Sequence, residues 1–181
     1  LEKLNQMDEF VRNSLGSELN FSEKPDIVDS ALMLIPENHL ISLSDNIPSL
    51  APIEGFISKR MESVFSNVDN LHGGIDIVAS EGTPIRATSS GVVVFSGWTY
   101  EMGNLIVLYH GDDYITHYGH NQQNIISRLD IVKKGDVIGY VGNTGISSGP
   151  HLHFEIWKGD KSIDPLIYFP EYQKKDLTLK K

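Results

Sequence analysis

The chain is expected to fold as a mainly β protein: an antiparallel β-sheet domain, barrel- or sandwich-like, with an N-terminal helix and an extended arm in front of it. Three observations predict this. From residue 57 onwards β-branched and aromatic residues cluster in short runs, the composition that suits a pleated, half-buried surface. Polar, glycine-containing clusters at 89–91, 110–113 and 133–136 separate the runs at the spacing of tight turns. No helical pattern of more than three turns lies between them, so tightly connected strands must pair mostly antiparallel.

In chain order, Leu1, Leu4, Met7, Phe10, Val11 and Leu15 recur at roughly helical spacing, and Gly16 is a stop signal. So short a helix is marginal alone, so it is read as packing on the domain. Pro25, Pro36, Pro48 and Pro52 punctuate the next stretch. Prolines disfavour long helices and central strands, and these residues read as a connecting arm. The run 31–35 is a short strand or a buried segment, and His39 stands alone without a ligand role. Strands are expected at 85–88, 91–96, 104–109, 113–118 and 137–141, with a further alternating run at 151–156. The division is therefore 1–53 for helix and arm, 54–170 for the folded domain and 171–181 for a charged tail that frays from Lys174.

Composition narrows the function. A chain of 181 residues, 40% hydrophobic, buries a real core. Its net charge of -9 excludes the basic surface that nucleic-acid binding needs, and gives no electrostatic attraction to an anionic membrane. There is no cysteine, so any metal is held by His, Asp or Glu. No signal peptide or membrane-spanning run is visible. The sequence opens on Leu1, not Met, which leaves room upstream for an export signal, a membrane anchor or a partner-binding segment.

Two histidine motifs carry the chemistry. In Gly149-Pro150-His151-Leu152-His153-Phe154-Glu155-Ile156 the residues alternate. Leu152, Phe154 and Ile156 fall on one strand face and His151, His153 and Glu155 on the other. In Leu71-His72-Gly73-Gly74-Ile75-Asp76 the imidazole and carboxylate are four apart. The two glycines argue against a helix, and on an extended strand His72 and Asp76 share a face. His72, Asp76 and one histidine of the 151/153 pair make three ligands. Three protein ligands on zinc leave a position open, the mark of a catalytic site. A third cluster, Thr116-His117-Tyr118-Gly119-His120-Asn121, places His117 and His120 three apart. In a regular strand they face opposite sides, so at most one points at the site, and His117 is taken as exposed. The glycine-rich stretch 135–149 lacks GxxxxGK[ST] and a following helix, so hairpin and bulge geometry accounts for it better than a phosphate loop.

With these motifs in order, the sequence resembles the lysostaphin-type (LytM-like) zinc peptidoglycan endopeptidases over roughly residues 54–168. His72-Gly73-Gly74-Ile75-Asp76 matches their HxGxD signature, Tyr118-Gly119-His120-Asn121 their aromatic-x-His segment, and residues 135–155 their most recognisable stretch. The resemblance implies His72, Asp76 and His153 as zinc ligands, with His120 and His151 as catalytic histidines beside the metal. It implies Zn2+ as cofactor, peptidoglycan peptides as substrate and an extracytoplasmic place of work. It carries no role onto His117. Glu155 is either an outer-sphere partner of a ligand or a solvent-facing carboxylate, and Tyr118 is expected to pack or to line the groove. Some members of that family have lost ligands and activate other wall hydrolases through protein contacts, which is the alternative function. Asn38, His39 and Asp45 in the arm are zinc-blocking candidates.

Overall fold

Strand pairing builds this domain. The computed structural model describes residues 46–62 and 72–179. The chain divides into Leu1–Leu40 and Ile41–Lys181, and the described residues all fall in the second part. The expected helix over 1–15, the run at 31–35, and Asn38, His39 and Asp45 lie outside the described residues.

The described residues form β1 (Phe56–Lys59), β2 (Ile75–Val78), β3 (Pro84–Arg86), β4 (Gly91–Thr99), β5 (Gly103–Gly111), β6 (Tyr114–Asn124), β7 (Ile131–Val132), β8 (Val137–Val141), β9 (His151–Lys158) and β10 (Lys161–Ile163). Every ladder between these strands is antiparallel, as the tight turns predict. They join one sheet in the order β1-β2-β9-β6-β5-β4-β7, with β10 on β9 and β3 paired to β8, which pairs in turn with β6. The sheet stays open, and the mainly antiparallel β fold expected from sequence is the one observed. β1 cannot close it, because the C-terminal segment takes up that edge: Ile57 bridges to Asp176, and Leu177 N–H donates to the Ile57 carbonyl (2.9 Å). A covered edge is protected from pairing with other chains.

β6 organises the middle of the sheet. Residues 114–119 pair with β9, whereas Asn121, Gln123 and Asn124 pair with β8. The partner changes around His120, where one extra residue bulges β6 against β5. On one face of the sheet Ile75, Ile77, Ile106, Leu108, Tyr118, Leu152, Phe154 and Ile156 are fully buried. Burying each such side chain contributes about 1.5–3 kcal/mol.

Two ends depart from expectation. The segment after 170 does not fray at Lys174: Pro170–Lys175 is a 3-10 helix, Tyr172 is buried, and its hydroxyl donates to the Ile53 carbonyl. Arg60 forms an ion pair with the buried Asp176 carboxylate. At the other end, Ser49 and Leu50 N–H both donate to Thr88 O, and Arg86 N–H donates to Pro52 O (2.9 Å). Residues 46–53 are thus stitched to the sheet, which a proline-rich composition alone did not reveal.

A buried polar chain crosses the core. His110 Nδ1–H donates to Ser90 O (2.8 Å), its Nε2 is 2.7 Å from the Thr116 hydroxyl, and that hydroxyl is 3.0 Å from the Tyr118 hydroxyl. Burial pulls the His110 pKa down to about 4 from an ordinary 6.5, outweighing the Ser90 carbonyl that favours the proton. Because the folded value lies below the unfolded one, the stabilisation is complete above about pH 6.5 and is lost as pH falls towards 4. Folding stability should therefore drop by about 3 kcal/mol from this group across that window. Urea unfolding at pH 7 and pH 4.5 should show a smaller pH-dependent loss for His110→Gln than for the wild type.

Candidate metal centre

β2 and β9 pair so that Ile75 faces Phe154, Asp76 faces His153, Ile77 faces Leu152 and Val78 faces His151. Period-two alternation then sorts the side chains. The aliphatic and aromatic partners enter the core, and Asp76, His151, His153 and Glu155 share the opposite face. His72 precedes β2 and folds back to Asp76 across Gly73 and Gly74. A Cβ on Gly74 would run into the Phe154 carbonyl oxygen, and one on Gly73 would sit 2.8 Å from Glu155 Oε1. The glycines of the motif let the chain lie directly on β9.

Three donor atoms converge. Asp76 Oδ1 is 2.9 Å from His72 Nε2 and 2.8 Å from His153 Nδ1, and the two nitrogens are 3.1 Å apart. The far side of each ring is occupied: His72 Nδ1–H donates to the Arg60 carbonyl (2.9 Å), and His153 Nε2–H donates to Glu155 Oε1 (2.9 Å). Each imidazole therefore turns its other nitrogen towards the Asp76 carboxylate. Tetrahedral zinc with ligands at about 2.0–2.1 Å sets its donors about 3.3 Å apart, close to the observed spacing. Two imidazoles and a carboxylate suit that metal by donor chemistry. His72, Asp76 and His153 are the group of described residues placed to hold an ion.

The electrostatics agree. Burial raises the Asp76 pKa, but the hydrogen bonds and charge of His153 and His72 outweigh it and hold the carboxyl well below the usual range. Burial disfavours the charged His153 ring, yet Asp76 and Glu155 lift its pKa to about 9. The centre is built to attract positive charge.

His120 and His151 lie beside it. The His120 ring centroid is 4.7 Å from that of His151 and 5.9 Å from that of His153. His151 Nε2 lies 3.7 Å from Asp76 Oδ1. Both rings are tethered alike: His120 Nδ1–H donates to Thr144 O (2.7 Å) and His151 Nδ1–H to Gly149 O (2.7 Å). Nδ1 is thus the tethered nitrogen of each. His120 sits in the left-handed region at φ 62. His120 N–H donates to Met102 O (2.7 Å), and Thr144 Oγ1 donates to Asn121 O (2.7 Å). Gly145, at φ 73, presses its backbone onto Gly103, and Ile146 N–H donates to Glu101 O (2.9 Å). The stretch 142–150 is thus locked to the β4–β5 hairpin, and its carbonyls hold the catalytic-histidine candidates.

Two expectations change, and one open alternative closes. His117 and His120 do not face opposite sides, because the bulge at His120 breaks the alternation. His117 is not exposed: its Nδ1 lies 3.0 Å from Glu155 Oε2 with 12% of the side chain accessible. Glu155 is buried, not solvent-facing. Tyr118 packs in the core beneath the site, as expected. Sequence reasoning passed over Trp157, whose indole N–H donates to Glu155 Oε2 (2.6 Å). The same alternation that grouped His151, His153 and Glu155 extends to Trp157 and marks it.

Residues 70–165 match the sequence family described as Peptidase family M23. The chain belongs to peptidase family M23. Among M23 relatives, the murein hydrolase activator NlpD of Escherichia coli (strain K12) is 40% identical over 121 residues, 66% of this chain and 31% of NlpD. The DD-carboxypeptidase/endopeptidase Mpg of Neisseria meningitidis serogroup B is 40% identical over 122 residues, 63% of this chain and 28% of Mpg. This chain therefore spans less than a third of either relative. In structure, the antimicrobial peptidase lysostaphin from Staphylococcus simulans matches with a TM-score of 0.59 at 31% identity, covering 65% of this chain and 50% of that one.

The packing of the M23 motif glycines is testable. Gly74→Ala should push β2 off β9 and cost about 1–3 kcal/mol or more, as overpacking does. Gly149 has nothing within 4 Å of an added Cβ, so Gly149→Ala should unfold in urea at the wild-type midpoint. Equal midpoints for the two variants would contradict the close approach at Gly74.

Proposed function

We propose that this protein is a zinc-dependent endopeptidase that hydrolyses peptide bonds of bacterial cell-wall peptidoglycan, outside the cytoplasm. One observation carries the reading: all five histidine and aspartate positions are present and converge, three as ligands and two as tethered histidines. His72 Nε2, Asp76 Oδ1 and His153 Nδ1 would hold the ion. Zinc bound there supplies Lewis-acid polarisation of a carbonyl and lowers the pKa of water towards about 7. Three protein ligands leave room for water and substrate.

The remaining work belongs to the chain. His120 and His151 each donate through Nδ1–H to a carbonyl, so Nε2 is the nitrogen each has for proton transfer beside the ligands. Between them they accept the proton of the attacking water on Nε2, and the N–H so formed hydrogen-bonds the tetrahedral oxygen and returns the proton to the leaving nitrogen. Family membership and the likeness to lysostaphin support peptide hydrolysis. The names of the NlpD and Mpg relatives support the cell wall as the setting. Lipoprotein NlpD of Yersinia enterocolitica and outer membrane antigenic lipoprotein B of Haemophilus influenzae support an envelope location.

The identity with NlpD favours a second reading, activation of another wall hydrolase by protein contact. Elemental analysis joined to a wall-digestion assay separates the two. The enzyme should carry zinc, release peptide fragments from purified walls and stop when chelated. A zinc-loaded chain that releases nothing but speeds a second hydrolase would establish the activator instead.

His153→Ala and Asp76→Ala should lose both zinc and turnover. His120→Ala should keep zinc and lose turnover by about 2.7–4 kcal/mol of barrier, the scale of one catalytic donor. Zinc loss in His120→Ala with retention in His153→Ala would reverse the assignment.

A further inference from the structure

We propose that His117 and Trp157 are positioning residues for the metal centre, acting through Glu155. The inference rests on the zinc reading above. It concerns how His153 is made to present Nδ1, and not Nε2, to the ion.

The geometry runs in one direction. The Trp157 indole N–H can only donate, and it points at Glu155 Oε2 from 2.6 Å. His117 Nδ1 lies 3.0 Å from the same oxygen, and a carboxylate accepts. Glu155 Oε2 is therefore occupied twice as an acceptor. Oε1 is left to accept from His153 Nε2–H at 2.9 Å. A proton is thereby held on Nε2, and Nδ1 is the nitrogen turned towards His72 and Asp76. Removing either donor frees Oε2 to turn, and the hold on His153 slackens.

The surroundings leave the carboxylate little freedom. Its side chain is 8% accessible. Gly73 covers Oε1 and Gly74 covers Cγ, each so closely that a Cβ would sit 2.8 Å away. The Trp157 ring stacks beside His117, centroids 6.0 Å apart and planes 28° from parallel. β6 and β9 supply the register, with His117 opposite Glu155 and Gly119 opposite His153. The two glycines of the HGGID motif thus do more than bring His72 to Asp76. They roof the carboxylate that orients the third ligand.

Zinc affinity of the full chain, measured by competition with a chromophoric chelator, tests this without reference to activity. Glu155→Gln should bind zinc about 10–100-fold more weakly than wild type, the usual effect of losing an outer-sphere partner. Trp157→Phe keeps the ring and removes only the donor, and His117→Phe keeps the stack. Each should weaken binding roughly three- to tenfold, the worth of one hydrogen bond. Added to Glu155→Gln, either change should matter less than about twofold, because residues acting through one group do not add. Additive losses would overturn the proposal, as would wild-type affinity in Glu155→Gln. If Glu155→Gln does not fold, Trp157→Phe decides alone, and unchanged affinity there sinks it. A wild-type chain that binds no zinc overturns the metal reading itself, which is a distinct result.

Discussion

The pairing of Asp76 with His153 across β2 and β9 is the constraint on which the site depends. In a sheet, a slip of one residue exchanges the two faces. Such a slip here would bury Asp76 among Leu152 and Phe154 and would turn Ile75 and Ile77 outward. The apolar cost of that exchange is several buried side chains at about 1.5–3 kcal/mol each. The core therefore sets the register, and the register sets the distance between the donors. Ile75, Ile77, Leu152 and Phe154 lie on the core face, yet they place two of the three candidate ligands.

His120 is positioned by the opposite strategy. It breaks the regularity of β6 instead of using it. A non-glycine residue in the left-handed region costs on the order of 1–2 kcal/mol. Met102 O, which accepts its N–H, and Thr144 O, which accepts its Nδ1–H, hold it there. The hairpin and the loop that supply those carbonyls are themselves joined at Gly103 and Gly145. Local strain at a site persists where the surroundings over-determine it, and here the β4–β5 hairpin, β6 and the 142–150 loop meet for that purpose.

What the sequence made legible follows the same division. Alternation in residues 151–156 correctly separated core from site side chains, because regular strands obey period two. The same rule misplaced His117 and His120 relative to each other, since a bulge leaves no trace in a pattern of polar and apolar residues. Gly119, immediately before His120, is the sequence signal that could have marked the bulge. β1, β2, β7 and β10 are only two to four residues long, too short for periodicity to stand out. The charged end around Lys174 read as frayed because its anchors are single residues: Tyr172 reaching Ile53, and Asp176 reaching Arg60. The partners lie more than a hundred positions away in the chain, beyond any local pattern.

The two-faced sheet also explains how one fold serves both peptidases and activators. Side chains of the core and of the site alternate along β2 and β9, so one face can change while the other keeps the fold. On the site face Asp76 is held from two sides, by His72 and by His153, so removing either imidazole still leaves the carboxylate one partner. Here Asp76 and Glu155 are both present, each bonded to the same His153 ring from opposite sides. Two carboxylates on one buried imidazole fix that ring in a single orientation, with Nδ1 turned to His72 and Asp76 and Nε2 to Glu155.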